Sequence, residues 1–263
     1  MPMKKIILVA LWLPIIFLAS CSDEHRPTQS SGIPLDEPVA LSIIFEDDGE
    51  AGFGDDEKQL IADIITRSEK EVRVLLPTLT SVIEVTAVVI DRNIDGVGGV
   101  TGRANAPGKV QVAFSRVYPG GILAAARKAL SATIFHEFHH LDRGWTIQDN
   151  KFGPGISIAA VNEGLADVFS EEFTGVFFEE AKSYPEHADE WLAEIKSLPL
   201  DANYGTWMVE HPDGRDSIGY RVGRYIIHQA MANSGKDILE LSKLTPGEIL
   251  NLAEASPVAS NSP

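Results

Sequence analysis

The stretch Ser131-Ala132-Thr133-Ile134-Phe135-His136-Glu137-Phe138-His139-His140 sets His136 and His140 four residues apart, with Glu137 directly after the first. On a helix that spacing projects both imidazoles from one face, so they can share a metal ion. Glu137 then stands beside the open coordination position, where a carboxylate can take a proton from water. Downstream, Asn162-Glu163-Gly164-Leu165-Ala166-Asp167 offers Glu163 as a third ligand, completing a His2Glu set. Asp167 lies four residues further on, on the same helical face. It is placed to accept the second N–H of a ligand histidine and so fix its tautomer. These are the groups a mononuclear zinc hydrolase needs, with one Zn2+ per chain.

The elements around the motifs must hold them in register. Gly121 to Arg143 reads as the first helix, stopped by Gly144. Ile158 to Phe173 reads as the second, with Val161, Leu165, Val168 and Phe169 as its core stripe and Glu163 on the opposite, polar side. A third helix is expected from Asp216/Ser217 to about Asn233, and Thr245-Pro246-Gly247-Glu248 is a capping box opening a last short one. Before the motifs, Val39–Glu46, Ile83–Asp91 and Val110–Phe114 read as strands. Lys58–Leu76 has helical spacing through Leu60, Ile61, Ile64, Ile65 and Val72, and Pro77 ends it. Asp91-x-Asn93-x-Asp95-Gly96 copies the first half of a calcium loop, but Gly102 stands where a bidentate Glu belongs. Gly96–Gly102 is therefore expected to be a glycine-rich connection between strands. The class is α+β: a small mixed or antiparallel N-terminal sheet, then mostly helices, with the His136–His140 helix at the centre.

The two motifs together resemble the glutamate zincins of the thermolysin type. The Glu-Gly-Leu-Ala-Asp wording of residues 163–167 is closer to the YjaZ-like family of predicted bacterial zinc-dependent proteases. The resemblance runs on through Gly219-Tyr220-Arg221-Val222-Gly223 and the C-terminal helices, covering most of the chain beyond about residue 75. It implies a zincin-like fold and hydrolysis of peptide bonds. The metzincin pattern is excluded, because Arg143 and Thr146 occupy its Gly and third His, and Gly144 falls one place late. By analogy with zinc peptidases of this architecture, the last strand before the motif helix is an edge to which a peptide can add. Lys109–Ser115 is the segment expected there.

The ends carry a different message. Lys4 and Lys5 precede an apolar run, Ile6–Ala19, too short to span a bilayer comfortably. It ends in Leu18-Ala19-Ser20-Cys21, which resembles the lipobox of bacterial lipoproteins, whose signal is cut before a cysteine that is then lipidated. Cys21 is the chain's one cysteine, so no internal disulfide can form. Ser22 after it points to the outer membrane of a Gram-negative envelope rather than inner-membrane retention. The expected organisation is a signal peptide over 1–20, a flexible tether over 21–38, one domain over 39–256 and a disordered tail over 257–263. A formal net charge of −16 argues against nucleic acid and against adsorption to anionic headgroups.

Amide hydrolysis also needs a donor for the developing oxyanion. Tyr204, His211, Tyr220, Arg221 and His228 are the candidates downstream of the third ligand, and Tyr220, at a helix start beside Gly219, is the leading one. His139 is read as supporting the ligands or packing. Three functions remain in play: a membrane-anchored zinc metallopeptidase acting on peptide or protein, a zinc hydrolase of a non-peptide cell-wall amide, and a binding lipoprotein with a relic metal site. Glu137 weighs against the last, since a purely structural site has no use for its carboxylate.

Overall fold

The computed structural model describes residues 39–46 and 52–255. Cys21, with the expected signal and tether, and the expected tail lie outside the described residues. Among the described residues no helix is long and apolar enough to cross a membrane.

Four strands form one mixed sheet in the order β1-β2-β4-β3. They are β1 (Ala40–Phe45), β2 (Val82–Ile90), β3 (Val100–Ala106) and β4 (Lys109–Ser115). β1, β2 and β4 run parallel, and β3 is antiparallel to β4. Parallel neighbours need a crossover, and α1 (Asp55–Leu75) supplies the one between β1 and β2. Alternation buries Ile83, Val85 and Ala87 of β2 and Val110, Val112 and Phe114 of β4, giving the sheet its apolar face.

The sheet corrects one expectation. Lys109–Ser115 is not an edge; β4 lies inside the sheet, between β2 and β3. The edge is β3, part of which read as a glycine-rich loop. Pro107-Gly108 turns the chain directly from β3 into β4, with Gly108 at a φ of 72°, where a side chain would be strained. Val-Thr-Gly-Arg-Ala-Asn-Ala has little β-branched alternation, so its strand state comes from pairing with β4 rather than from propensity.

The helical layers follow. α2 (Gly121–Ala125) passes through a π-helical turn, Ala126–Leu130, into α3 (Ser131–Arg143). The expected continuous helix thus contains one widened turn. Gly144 ends α3 in the left-handed region at φ 67°, as its position after Arg143 predicts. Next come α4 (Ile156–Thr174), α5 (Glu179–Lys182), α6 (Ala188–Lys196) and α7 (Tyr204–Met208). α8 (Ile218–Ser234), α9 (Ile238–Leu241) and α10 (Pro246–Glu254) complete the chain, and the capping box of Thr245 and Glu248 is formed. α3 packs on α1, α4 and β3, while α4 and α8 form the closest helix pair.

α4 departs from the amphipathic helix expected. Every residue from Ala159 to Ser170 is buried, so Glu163 and Asp167 do not face solvent. A central helix can bury carboxylates only where partners compensate them, and α3 and α5 provide those partners.

Candidate metal centre

His136 and His140 leave the same face of α3, and their rings meet edge-on, with centroids 4.6 Å apart. Their Nε2 atoms are 2.9 Å from each other, and each is 3.2 Å from Glu163 Oε2 of α4. Among the described residues these three make up the group whose ligand atoms converge as a metal site requires. A tetrahedral zinc with bonds of about 2.0–2.1 Å sets its ligand atoms roughly 3.3 Å apart. The observed separations fit that ion with little adjustment.

The proton inventory also fits a cation. His136 Nδ1 lies 2.9 Å from Asp167 Oδ1. An ionised carboxylate only accepts, so Nδ1 carries the proton and Nε2 is left to point its lone pair at the converging atoms. Without a metal, burial works against a charged His136, but the bonds to Asp167 and Glu163 outweigh it and raise the imidazole to about 10, so a bound cation would take the place of a proton on Nε2. Burial likewise opposes the ionised Glu163, yet the neighbouring His140 and His136 hold its carboxyl well below the usual range. The cluster is therefore a buried field that attracts positive charge.

Glu137 points from α3 towards the edge strand. Its residue is 5% exposed, and its carboxylate accepts the Ala104 N–H of β3. Burial pushes its carboxyl up, against the opposing charges of His136 and His140. A carboxylate raised towards neutrality is suited to general base work. Gly102 of β3 makes room for it: a Cβ there would stand 2.5 Å from Glu137 Cγ. Only glycine lets the edge strand lie this close to the helix carrying Glu137.

Several supports were not legible in the motifs. Lys182 of α5 reaches Asp167 Oδ1, the oxygen that also faces His136 Nδ1. Its charge is the largest influence opposing burial and keeping Asp167 ionised. Trp145 Nε1 donates to Glu163 Oε1 at 3.3 Å. Asn162, the residue before the ligand, anchors α4 rather than touching the site. Its Oδ1 accepts from Arg143 Nε at 3.0 Å, and Arg143 also donates to the Ser242 and Leu244 carbonyls. His139 is fully buried and also structural. Its Nε2 donates to Ser242 Oγ at 2.8 Å, because that hydroxyl gives its own proton to the Ile238 carbonyl.

A family described as "Predicted Zn-dependent protease (DUF2268)" matches residues 89–251. The chain belongs to this family. No curated protein and no solved structure matches the chain. The DUF2268 match takes in β3, α3, α4 and α8, and therefore every residue of the converging triad and its supports.

The DUF2268 centre opens into a cleft of about 810 Å³, walled by β3, the loop after α3, α5, α7 and the start of α8. Two of the five expected oxyanion donors lie in it, Tyr204 and Tyr220. They hydrogen-bond to each other, and Tyr204 Oη is 3.4 Å from Glu163 Oε1. The Glu163 charge and burial raise the Tyr220 phenol well above its usual range, so it stays a donor. The other three are engaged elsewhere. His211 packs on Trp207 and pairs with Asp213 at 2.8 Å. Arg221 holds the Ser183 and Glu180 carbonyls, and His228 meets Tyr184 Oη at 3.1 Å. The Asp91–Asp95 segment connects β2 to β3, with Asn93 Oδ1 accepting the Asp95 N–H at 2.8 Å and Asp91 facing Arg116.

Proposed function

We propose that the chain is a zinc-dependent peptidase of zincin-like architecture that uses Glu137 as its general base. The observation that carries this reading is the convergence of His136 Nε2, His140 Nε2 and Glu163 Oε2 within 3.2 Å, next to a buried Glu137 and an edge strand. Zinc held by these three ligands would supply a Lewis acid for the scissile carbonyl and an acidified water. Glu137 takes the proton of the attacking water and returns it to the leaving amine. Asp167 keeps His136 in the tautomer that binds, and Lys182 offsets the Asp167 charge. Tyr220, hydrogen-bonded to Tyr204 in the same cleft, is the donor this reading assigns to the developing oxyanion. Metal analysis after zinc reconstitution tests the site: about one equivalent per chain is expected, and less than about a tenth would remove it. Chelation should abolish cleavage, and added zinc should restore it.

Asp167→Asn should weaken zinc retention or activity by about 10–100-fold, because Asn can present its amide N–H where Nδ1 needs an acceptor. Lys182→Met should move the same measurement in the same direction, by leaving Asp167 buried without its cation. Competition against a chelator reads both. Affinities equal to the parent's would take Asp167 and Lys182 out of the centre.

A further inference from the structure

Nine large apolar side chains are exposed among the described residues, and four of them stand on the cleft wall. They are Ile147 at 69% exposure, Leu200 at 67%, Val209 at 59% and Tyr204 at 46%. Single exposed apolar residues are ordinary, but their concentration around one opening marks a surface meant to be covered.

The same opening presents main-chain groups. The Ser115 N–H donates to the Gly99 carbonyl, and Thr101 and Arg103 stand opposite Ala113 and Gln111. Antiparallel alternation therefore turns the main-chain groups of Thr101 and Arg103 to β4 and those of Val100, Gly102 and Ala104 outward. Ala104 is already engaged, its N–H by Glu137 and its carbonyl by the Ile147 N–H at 3.0 Å. Val100 is 1% exposed, so Gly102 is the residue left to turn its outward N–H and C=O to the cleft, with Ile147 marking where pairing must stop.

We infer that the occupant is an extended, unfolded polypeptide segment with large aliphatic or aromatic side chains beside the bond to be cut. This rests on the peptidase reading. Main-chain pairing at Gly102 requires a partner whose own N–H and C=O groups are free, which a folded substrate has already paired. Alternate side chains of such a strand meet the Ile147, Leu200, Tyr204 and Val209 wall, and burying them against it supplies the selectivity. A lipid chain fits less well, since it would cover the outward groups of Gly102 and the Glu137 carboxylate without pairing them.

The test uses the zinc-reconstituted full chain in two forms. With Glu137→Gln, which holds substrate without turning it over, fluorescence anisotropy compares labelled peptides carrying Leu or Phe with otherwise identical ones carrying Ser. The apolar peptides should bind at least about tenfold tighter. Adding Ile147→Glu and Leu200→Glu should erase that difference and leave the Ser peptide within about twofold; both sites are exposed, so the fold tolerates the change. The active form should cut a reduced and alkylated, unfolded protein next to apolar residues and spare its native counterpart. Equal affinity for Leu and Ser peptides, or a double variant that binds like its parent, overturns the inference and leaves the peptidase reading standing. A zinc-loaded parent that cuts no peptide of a mixed library removes the peptidase reading and this inference with it. Binding to phosphatidylcholine vesicles that Leu200→Glu abolishes would assign the wall to lipid instead and overturn the inference.

Discussion

Glu137→Gln should lower kcat/KM for peptide cleavage by about 10²–10⁴-fold while the zinc content stays at that of the parent. The expected size follows from the position of the side chain. Glu137 is not one of the three converging ligand atoms, so its loss should not empty the site. Its carboxylate is held by the Ala104 N–H and by the close approach of Gly102, so an amide of the same shape can occupy the same space. The amide accepts a hydrogen bond from water but cannot take its proton. Metal analysis and initial rates on one peptide, measured side by side, separate these statements. A variant that keeps the parental rate assigns the base elsewhere, and one that loses its zinc makes Glu137 part of the ligand shell.

The chemistry of this centre was largely legible in the sequence, because its information is local. The spacing of His136, Glu137 and His140 fixes their relative direction on any helix. The four-residue step from Glu163 to Asp167 does the same, and Asp167 Oδ1 does face His136 Nδ1. Gly144 and the Thr245–Glu248 box, also local signals, mark real helix ends. What failed to show was what depends on pairing across the chain. β3 carries little strand propensity and reads as a loop until β4 is placed next to it, so the edge was assigned one strand too far inside. Lys182 sits in a four-residue helix with no motif of its own, and only the fold brings it to Asp167. The burial of Glu163 and Asp167 was hidden for the same reason: periodicity shows which residues share a helix face but not what covers that face.

Gly223 illustrates a constraint that the sequence displays without explaining, and its substitution should be the most damaging to the fold. Gly223→Val is expected to destabilise by at least about 3 kcal/mol, the upper end for an overpacked interior. For a domain of this size that is roughly 6–12 °C in Tm. The reason is the crossing of α4 and α8. A Cβ at Gly223 would lie 2.0 Å from the Ala160 carbonyl oxygen, and one at Gly164 would lie 2.2 Å from the Gly223 carbonyl carbon. Both obstacles are main chain, so no rotamer change relieves them, and the helices must separate. Glu163 is the neighbour of Gly164, and Tyr220 lies one turn before Gly223. Separation therefore draws the phenol away from the ligand carboxylate and loosens the wall of the cleft. Gly247→Ala is the matched control, because nothing lies within 4 Å of a Cβ there and its helix end is exposed. That change should be neutral or stabilise by up to about 1 kcal/mol. Calorimetry on the two variants, with zinc competition on whatever folds, decides the matter. A Gly223→Val protein that melts within about 2 °C of the parent would show that the helices tolerate separation, and that their close contact is not what keeps Tyr220 beside Tyr204 in the cleft wall.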